Sequence, residues 1–460
     1  MTKKPFYINL SERKLLLRAF DVFTIILSVS LASKFLDFIY ININNTLIYS
    51  WFFILILYYL LFGHIFQIYN LKVSNNRFLV FRGIVLTSLV TTLFYVFSPF
   101  VTPSLPDNRL QILYFFLLIT IPIIVWRFLY IGILFSPKYF KTIIILGHSS
   151  REKMIKAFSK FKNFHNIAAN VCNEELDGIN NFYDIDTVNL VDLVDASFTT
   201  EIIISTAGFS KETIRKINKQ LVVLFEKGVV IQSFEAYYES VTKRIPKEYL
   251  DYNFYKQIDF AKNKDNQFYY FSRRAMDIII SIIGLTFLIL LIPIILVCNL
   301  IANRGPLFYI QDRVGSKGKI FKIFKFRTMI KDAEKDGAVW AQKDDNRVTS
   351  FGKILRNTRI DEFPQFINVL KGEMSLVGPR PERPEFFTDL EDKIPFYAMR
   401  HIVRPGLTGW AQVNFPYANT IEEQEIKLRY DLYYIKERNT FLDFKILIST
   451  ISTMLFFKGQ

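Results

Sequence analysis

Cysteine, histidine and glycine are all scarce in this chain. Its two cysteines, Cys172 and Cys298, lie far apart, so no disulfide framework is expected and the soluble parts are expected to face a reducing cytoplasm. The four histidines, His64, His148, His165 and His401, are scattered and have no cysteine partners at zinc-site spacing, which leaves only a hard metal held by carboxylate. The strand-like run KTIIILG ends at Gly147, but His148-Ser149-Ser150-Arg151 follows where a dinucleotide loop needs further glycines, so NAD binding is not expected. Charge is missing from several long stretches. What is present is 51% hydrophobic residues, 47 Phe and a net charge of +15 in 460 residues. That is too apolar for a soluble enzyme and too basic to be indifferent to anions, which indicates a basic membrane protein.

Four apolar segments, roughly 19–41, 50–69, 80–100 and 110–135, are each long enough to span a bilayer. Lys3, Lys4, Arg13, Lys14 and Arg18 precede the first; Lys72, Arg77 and Arg82 separate the second from the third; Lys138 and Lys141 follow the fourth. The other two loops carry only Arg109, so the positive-inside rule puts both ends of the bundle in the cytoplasm. The first segment is long and lacks a small-residue cleavage site, so a cleavable signal peptide is not expected. Residues 141–235 alternate strands (KTIIILG, EIIIST, GVVIQSF) with a helix (KETIRKINKQLVVLFEKG), the pattern of a small Rossmann-like parallel α/β module. Residues 236–266 read as a linker.

Between Asp277 and Arg304 the chain again has no charge, but Pro293 sits inside this stretch and both flanks are basic, Arg273 and Arg274 before and Arg304 after. A fifth span would carry everything beyond it across the membrane. A helix over about 275–303 that enters, breaks at Pro293 and returns keeps both flanks cytoplasmic.

The densest motif is RIDEFPQFINVLKGEMSLVGPRPE, from Arg359 to Glu382. Pro364 is tolerated only in a first helical turn, so Asp361 and Glu362 are expected at the N-terminus of a helix through Phe366 to Leu370, where the dipole favours a carboxylate. Taken alone, this dipeptide would merely cap a helix. Here Arg356, Arg359, Arg380 and Arg383 surround it and a basic run from Arg313 to Arg327 precedes it, a combination suited to carboxylates and a metal acting on a phosphorylated substrate.

With GPLFYIQDRVGSKGKIFKIFKFRTM before it, and RPGLTGWAQV and YDLYYIKER after it, the stretch 270–460 resembles the bacterial sugar transferases, the monotopic polyprenyl-phosphate phosphoglycosyl transferases. The bundle and α/β module in front are similar to the large members of that family. The resemblance implies a multi-domain membrane protein: a four-helix transmembrane bundle (1–140), the α/β module (141–235), the linker (236–266) and an α+β catalytic domain (267–460) with a re-entrant membrane helix and amphipathic helices, TFLDFKILISTISTMLFF among them. It implies transfer of a sugar 1-phosphate from a nucleotide diphosphate sugar, usually a UDP-hexose, to undecaprenyl phosphate with release of UMP. This is the first membrane step of exopolysaccharide, capsule or O-antigen assembly. Asp361 would be the nucleophile and would carry the covalent phosphosugar and the required Mg²⁺, with Glu362 its partner; Lys325, Arg327, Arg380, Arg404 and Asp431 would bind substrate. The implied partners are the donor, the acceptor, the lipid bilayer and a second copy in a homodimer, not nucleic acid, with the catalytic domain on the cytoplasmic face of the inner membrane. A chain beginning near Gln267 would keep some activity.

Two departures from the family pattern stand out. Phe363 replaces the usual Leu, and Ile292 replaces the Ser that in small members precedes the helix-breaking Pro, which removes a side-chain hydrogen bond from the break. A sugar or lipid transporter, or a regulatory scaffold of polysaccharide export, remains an alternative on the four spans alone. Against the transporter, the apolar segments carry almost no charge apart from Arg127, and against the scaffold stand the crowded polar motifs after Gly305.

Overall fold

A computed structural model describes residues 10–35, 38–42, 45–69, 77–133, 141–149, 155, 165–175, 181–250, 266–303, 305–330, 333, 345–415 and 418–455. Lys3, Lys4, Lys72, Lys138, Arg304, Ser150 and Arg151 lie outside them. The chain divides into two compact units, Met1–Tyr237 and Tyr238–Gln460.

The first unit begins with the four expected apolar helices, α1 (Leu10–Phe35), α2 (Ile48–Ile65), α3 (Arg77–Val96) and α4 (Leu110–Ile133). Each is long and apolar enough to cross a membrane. Ile25, Tyr59, Ile84, Tyr95, Phe115 and Ile119 form the fully buried interior, while Leu31, Phe53, Leu93, Phe94, Ile121 and Val125 point outward. Arg127 has a partner that no local motif announces: Asp21 of α1, which accepts from its Nε at 3.0 Å with both side chains buried. A charge inside such a bundle is tolerated when it is paired in this way.

Among the described residues the α/β module holds five strands: β1 (Lys141–Leu146), β2 (His165–Cys172), β3 (Phe182–Asp184), β4 (Glu201–Ile204) and β5 (Val230–Ser233). All neighbours are parallel, in the order β3-β2-β1-β4-β5. Helices α5 (Leu190–Ser197) and α6 (Lys211–Glu226) start at side-chain caps, Asn189 accepting from Val191 N and Ser210 from Thr213 N. The expected strands are β1, β4 and β5; β2 and β3 are additional. The module ends at α7 (Phe234–Thr242), within which the division between the units falls.

In the second unit, part of the stretch expected as a linker is instead built into the core. Ile245 is fully buried and Leu250 nearly so, among Leu428, Leu432 and Trp410. The backbone of Ile245 exchanges bonds with Arg429, donating to its carbonyl at 3.1 Å and accepting from its Nε at 2.7 Å. Trp410 Nε1 donates to Lys243 O at 2.8 Å. Residues 251–265 of the expected linker lie outside the described residues; before them, the backbones of Lys243 and Ile245 are spent on partners distant in sequence.

Helix α8 runs uninterrupted from Gln267 to Ala302 with Pro293 inside it. The expected break is therefore not an interruption: Pro293 removes one N–H from the ladder without ending the helix. One face of α8 packs on the rest of the second unit along its whole length. Tyr269 donates to Asp443, Arg273 Nε to Ser375 Oγ, and Asp277 Oδ1 accepts from Leu376 N. Gly284 has no side chain to displace the ring of Phe366 packed on it. Leu288 and Ile295 join Phe326 and Leu355, and Asn303 donates to Arg327 O at 3.0 Å. The other face exposes Ile279, Ile283, Leu290, Ile294, Val297 and Leu300. Beyond α8 come an antiparallel hairpin, β6 (Phe308–Val314) with β7 (Ile320–Phe326), then α9 (Ser350–Asn357), α10 (Phe366–Lys371), β8 (Ser375–Val377), α11 (Pro384–Lys393), β9 (Gly406–Thr408), α12 (Trp410–Asn414), α13 (Ile421–Glu437) and α14 (Thr440–Leu455).

Candidate active site

The Asp-Glu pair sits on a short 3₁₀ turn, Ile360–Gln365, between α9 and α10. Arg359 enters it in the left-handed region (φ 59°), which reverses the chain after α9. Asp361, Glu362 and Gln365 are all buried.

Two further motifs meet this turn. Strands β8 and β9 pair in parallel, with Ser375 opposite Gly406 and Val377 opposite Thr408. At the ends of this pairing the backbones of Gly378 and Gly406 are packed against each other so closely that a Cβ on either would overlap the other segment. This contact is why SLVGPRP and RPGLTG both carry glycine, and it fixes the loop that bears Arg380. Arg380 NH2 donates to Glu362 Oε1 at 2.7 Å, and Lys325, from β7, places Nζ 3.3 Å from the same oxygen. Arg359 NH1 is 3.9 Å from Glu362 Oε2.

These contacts divide the two carboxylates into different roles. Burial disfavours a charge on Glu362, but Arg380, Lys325 and Arg359 outweigh it and hold the group well below the usual range. Asp361 is pushed up, first by burial and then by the charge of Glu362, against the weaker pull of Lys325, Arg359 and Arg356. Burial lowers Lys325 to about 8, Glu362 partly opposing and Arg380 and Arg313 adding to the shift. Glu362 is thus the anchor of a cation cluster. Asp361 keeps one oxygen, Oδ1, buried with no hydrogen-bond partner.

That free oxygen is the observation on which a metal can be judged. Among the described residues no group of three or more His, Cys, Asp or Glu could hold an ion. A metal at this turn would be held by the Asp361 carboxylate and draw its other ligands from phosphate and water. Mg²⁺ accepts that kind of site, so the residues fit it.

The other expected site residues are placed differently. Arg327 turns its Nε to Pro306 O, on the exposed side of the hairpin. Arg404 is exposed, its guanidinium near Gly372. Asp431 is fully buried, accepting from Arg400 NH2 at 2.8 Å. Arg400 also donates to Glu382 at 3.0 Å and to Arg380 O at 3.0 Å, while Lys427 closes on Glu382 and Arg313 donates to Pro381 O. Asp431 therefore supports the loop from Arg380 to Glu382 from behind. Arg400, Glu382 and Lys427 are not among the residues expected from the sequence. Glu382 closes the GPRPE motif and could have been included, whereas nothing local to MRHIVRPG marks Arg400 as buried.

Residues 268–457 match the family described as bacterial sugar transferase. The chain is 46% identical over 187 residues to the UDP-N-acetylgalactosamine-undecaprenyl-phosphate N-acetylgalactosaminephosphotransferase of Aeromonas hydrophila, covering 41% of this chain and 44% of that protein. It is 42% identical over 194 residues to the UDP-glucose:undecaprenyl-phosphate glucose-1-phosphate transferase of Escherichia coli (strain K12), covering 41% and 40%. The match thus spans less than half the length of either relative. With the uncharacterized sugar transferase EpsL of Bacillus subtilis (strain 168) it is 42% identical over 159 residues, which is 34% of this chain and 73% of that protein. The dyad turn and the Arg380 loop both fall within residues 268–457, and the chain belongs to the bacterial sugar transferase family.

Proposed function

We propose that this protein transfers a sugar 1-phosphate from a UDP-hexose or UDP-N-acetylhexosamine to undecaprenyl phosphate, releasing UMP, through a covalent phosphosugar on Asp361. This is the first membrane step of a surface polysaccharide. The observation that carries it is the split within the dyad: Glu362 Oε1 accepts from Arg380 and Lys325, with Arg359 3.9 Å from Oε2, and Asp361 keeps a free, buried carboxylate oxygen.

Such an oxygen can attack phosphorus once ionised. In the first half of the reaction Asp361 bonds to the sugar-bearing phosphorus and the bond to the UMP oxygen breaks, its electron pair leaving on the nucleotide. In the second half a phosphate oxygen of the acceptor takes the phosphorus and frees the carboxylate. Arg380 and Lys325 hold positive charge where the diphosphate would lie, which offsets repulsion between two anions. A bound Mg²⁺, on Asp361, would add charge neutralisation of the phosphates.

The second unit touches both ends of α8 and leaves the helix's opposite face apolar. This supports a helix that dips into one leaflet with both ends on the cytoplasmic side of the inner membrane, where a soluble donor and a lipid acceptor can meet. A homodimer is the proposed assembly. The test is to incubate the purified full-length protein with undecaprenyl phosphate, Mg²⁺ and a panel of UDP-sugars, reading UMP. Release with at least one sugar, lost in Asp361→Asn, is expected. Robust release from a folded Asp361→Asn would end the nucleophile assignment.

A further inference from the structure

The turn Ile360–Gln365 holds a second buried side-chain atom without a partner, Gln365 Nε2. Gln365 is only 4% exposed. Buried polar groups are nearly always hydrogen-bonded, so an unmet donor at such depth calls for an explanation. The other orphan on the same turn is an acceptor, Asp361 Oδ1, four residues earlier. The two are complementary, yet they are not bonded to each other. Glu362, between them, accepts at Oε1 from Lys325 and Arg380, with Arg359 3.9 Å from Oε2.

We propose that Gln365 is a catalytic residue, its amide donating a hydrogen bond to a non-bridging oxygen of the phosphoryl group that Asp361 attacks. This role rests on the proposed function, in which that attack occurs. A phosphorus within reach of a carboxylate carries oxygens that accept hydrogen bonds and gather charge as the leaving bond lengthens. Gln365 transfers no proton and forms no covalent bond. It orients the phosphoryl group and stabilises it more in the transition state than in the ground state. A neutral donor suits this position. Lys325, Arg380 and Arg359 already supply positive charge at the dyad, so what the turn lacks is a donor that orients.

The test uses full-length protein, undecaprenyl phosphate, Mg²⁺ and a UDP-sugar that the wild type turns over. Gln365→Met keeps the length of the side chain and removes the donor; Gln365→Glu keeps the shape and replaces the donor by an acceptor. Both are expected to lose 10- to 100-fold in kcat, about 1.4–2.7 kcal/mol in barrier, with donor KM within about threefold of wild type and a matching loss in the rate of covalent phosphosugar formation. Gln365→Asn, with the amide on a shorter stem, is expected to fall between them and wild type. Wild-type kcat in either Gln365→Met or Gln365→Glu overturns the proposal, as does a loss confined to KM. If the wild type itself releases no nucleotide from any UDP-sugar, the proposed function fails and takes this role of Gln365 with it; failure of the role alone shows as active wild type beside equally active variants.

Discussion

Ile245→Ala distinguishes a strap from a linker. In a linker this substitution would cost nothing. Here the side chain is fully buried against α12 and α13, with its backbone bonded to Arg429. Truncation removes three carbon atoms, about 2.4 kcal/mol by transfer alone, and with the cavity left behind the range for such core changes is about 2–5 kcal/mol. For a unit of this size each 1 kcal/mol lowers the melting temperature by roughly 2–4 °C, so a fall of roughly 4–20 °C is expected. The assay is thermal unfolding of the detergent-solubilised protein, followed by intrinsic fluorescence. Lys247→Ala is the control: its ion pair with Glu425 is 2.7 Å long but the lysine is 68% exposed, so its loss should be worth about 0–1 kcal/mol. An Ile245→Ala melting point indistinguishable from wild type would refute the strap. By the same reasoning a fragment beginning near Tyr238 is expected to be more stable than one beginning at Gln267. A chain beginning at Gln267 leaves Arg429 and Trp410 without their acceptors, and its expected activity is correspondingly lower.

Asp431→Asn should lower the melting point and raise donor KM, because it takes one anion from buried Arg400 and slackens the loop of Arg380; up to about 3–5 kcal/mol is at stake when one partner of a buried pair is removed, and unchanged melting and kinetics would dismiss the buried support. Asp361 must be ionised to attack, and burial with Glu362 beside it raises its carboxyl above the usual aspartate range, so nucleotide release should decline in mildly acidic solution, at a pH above that expected for an ordinary aspartate. A profile that stays flat down to the ordinary aspartate range would contradict this. Chelation by EDTA should stop turnover and added Mg²⁺ restore it, with full activity in chelator counting against the metal.

That Lys325 and Arg380 gather at the dyad was legible because all lie within short motifs dense in carboxylates and cations. The four apolar helices were legible because each is a long and mostly apolar run. What escaped was whatever depended on distance in sequence. The pairing of Arg127 with Asp21 joins the first helix to the fourth. Strand β2, HNIAANVC, breaks its apolar pattern at Asn170, yet Asn170 is buried in the sheet between β1 and β3. Asp431 resembles a surface charge in YDLYYIKER, but α13 turns it inward to Arg400. Pro293 has the local signature of a helix break, whereas packing on Phe326 and Leu355 keeps both sides of it in one helix.

The contacts of α8 also order events in time. The helix is complete at Ala302, but the groups that match its buried polar residues come much later: Ser375 and Val377 for Arg273, Leu376 for Asp277, and Asp443 for Tyr269. Asp443 is made roughly 140 residues after the helix ends, on the order of 7–30 s at ~5–20 residues per second. For about the first half of that interval, until Ser375, Leu376 and Val377 are made, a very apolar helix carries Arg273 and Asp277 without these partners, and Tyr269 waits for Asp443 to the end of it, so its final seat cannot be fixed as it emerges. It has to be settled late in synthesis or afterwards, when α14 closes over it.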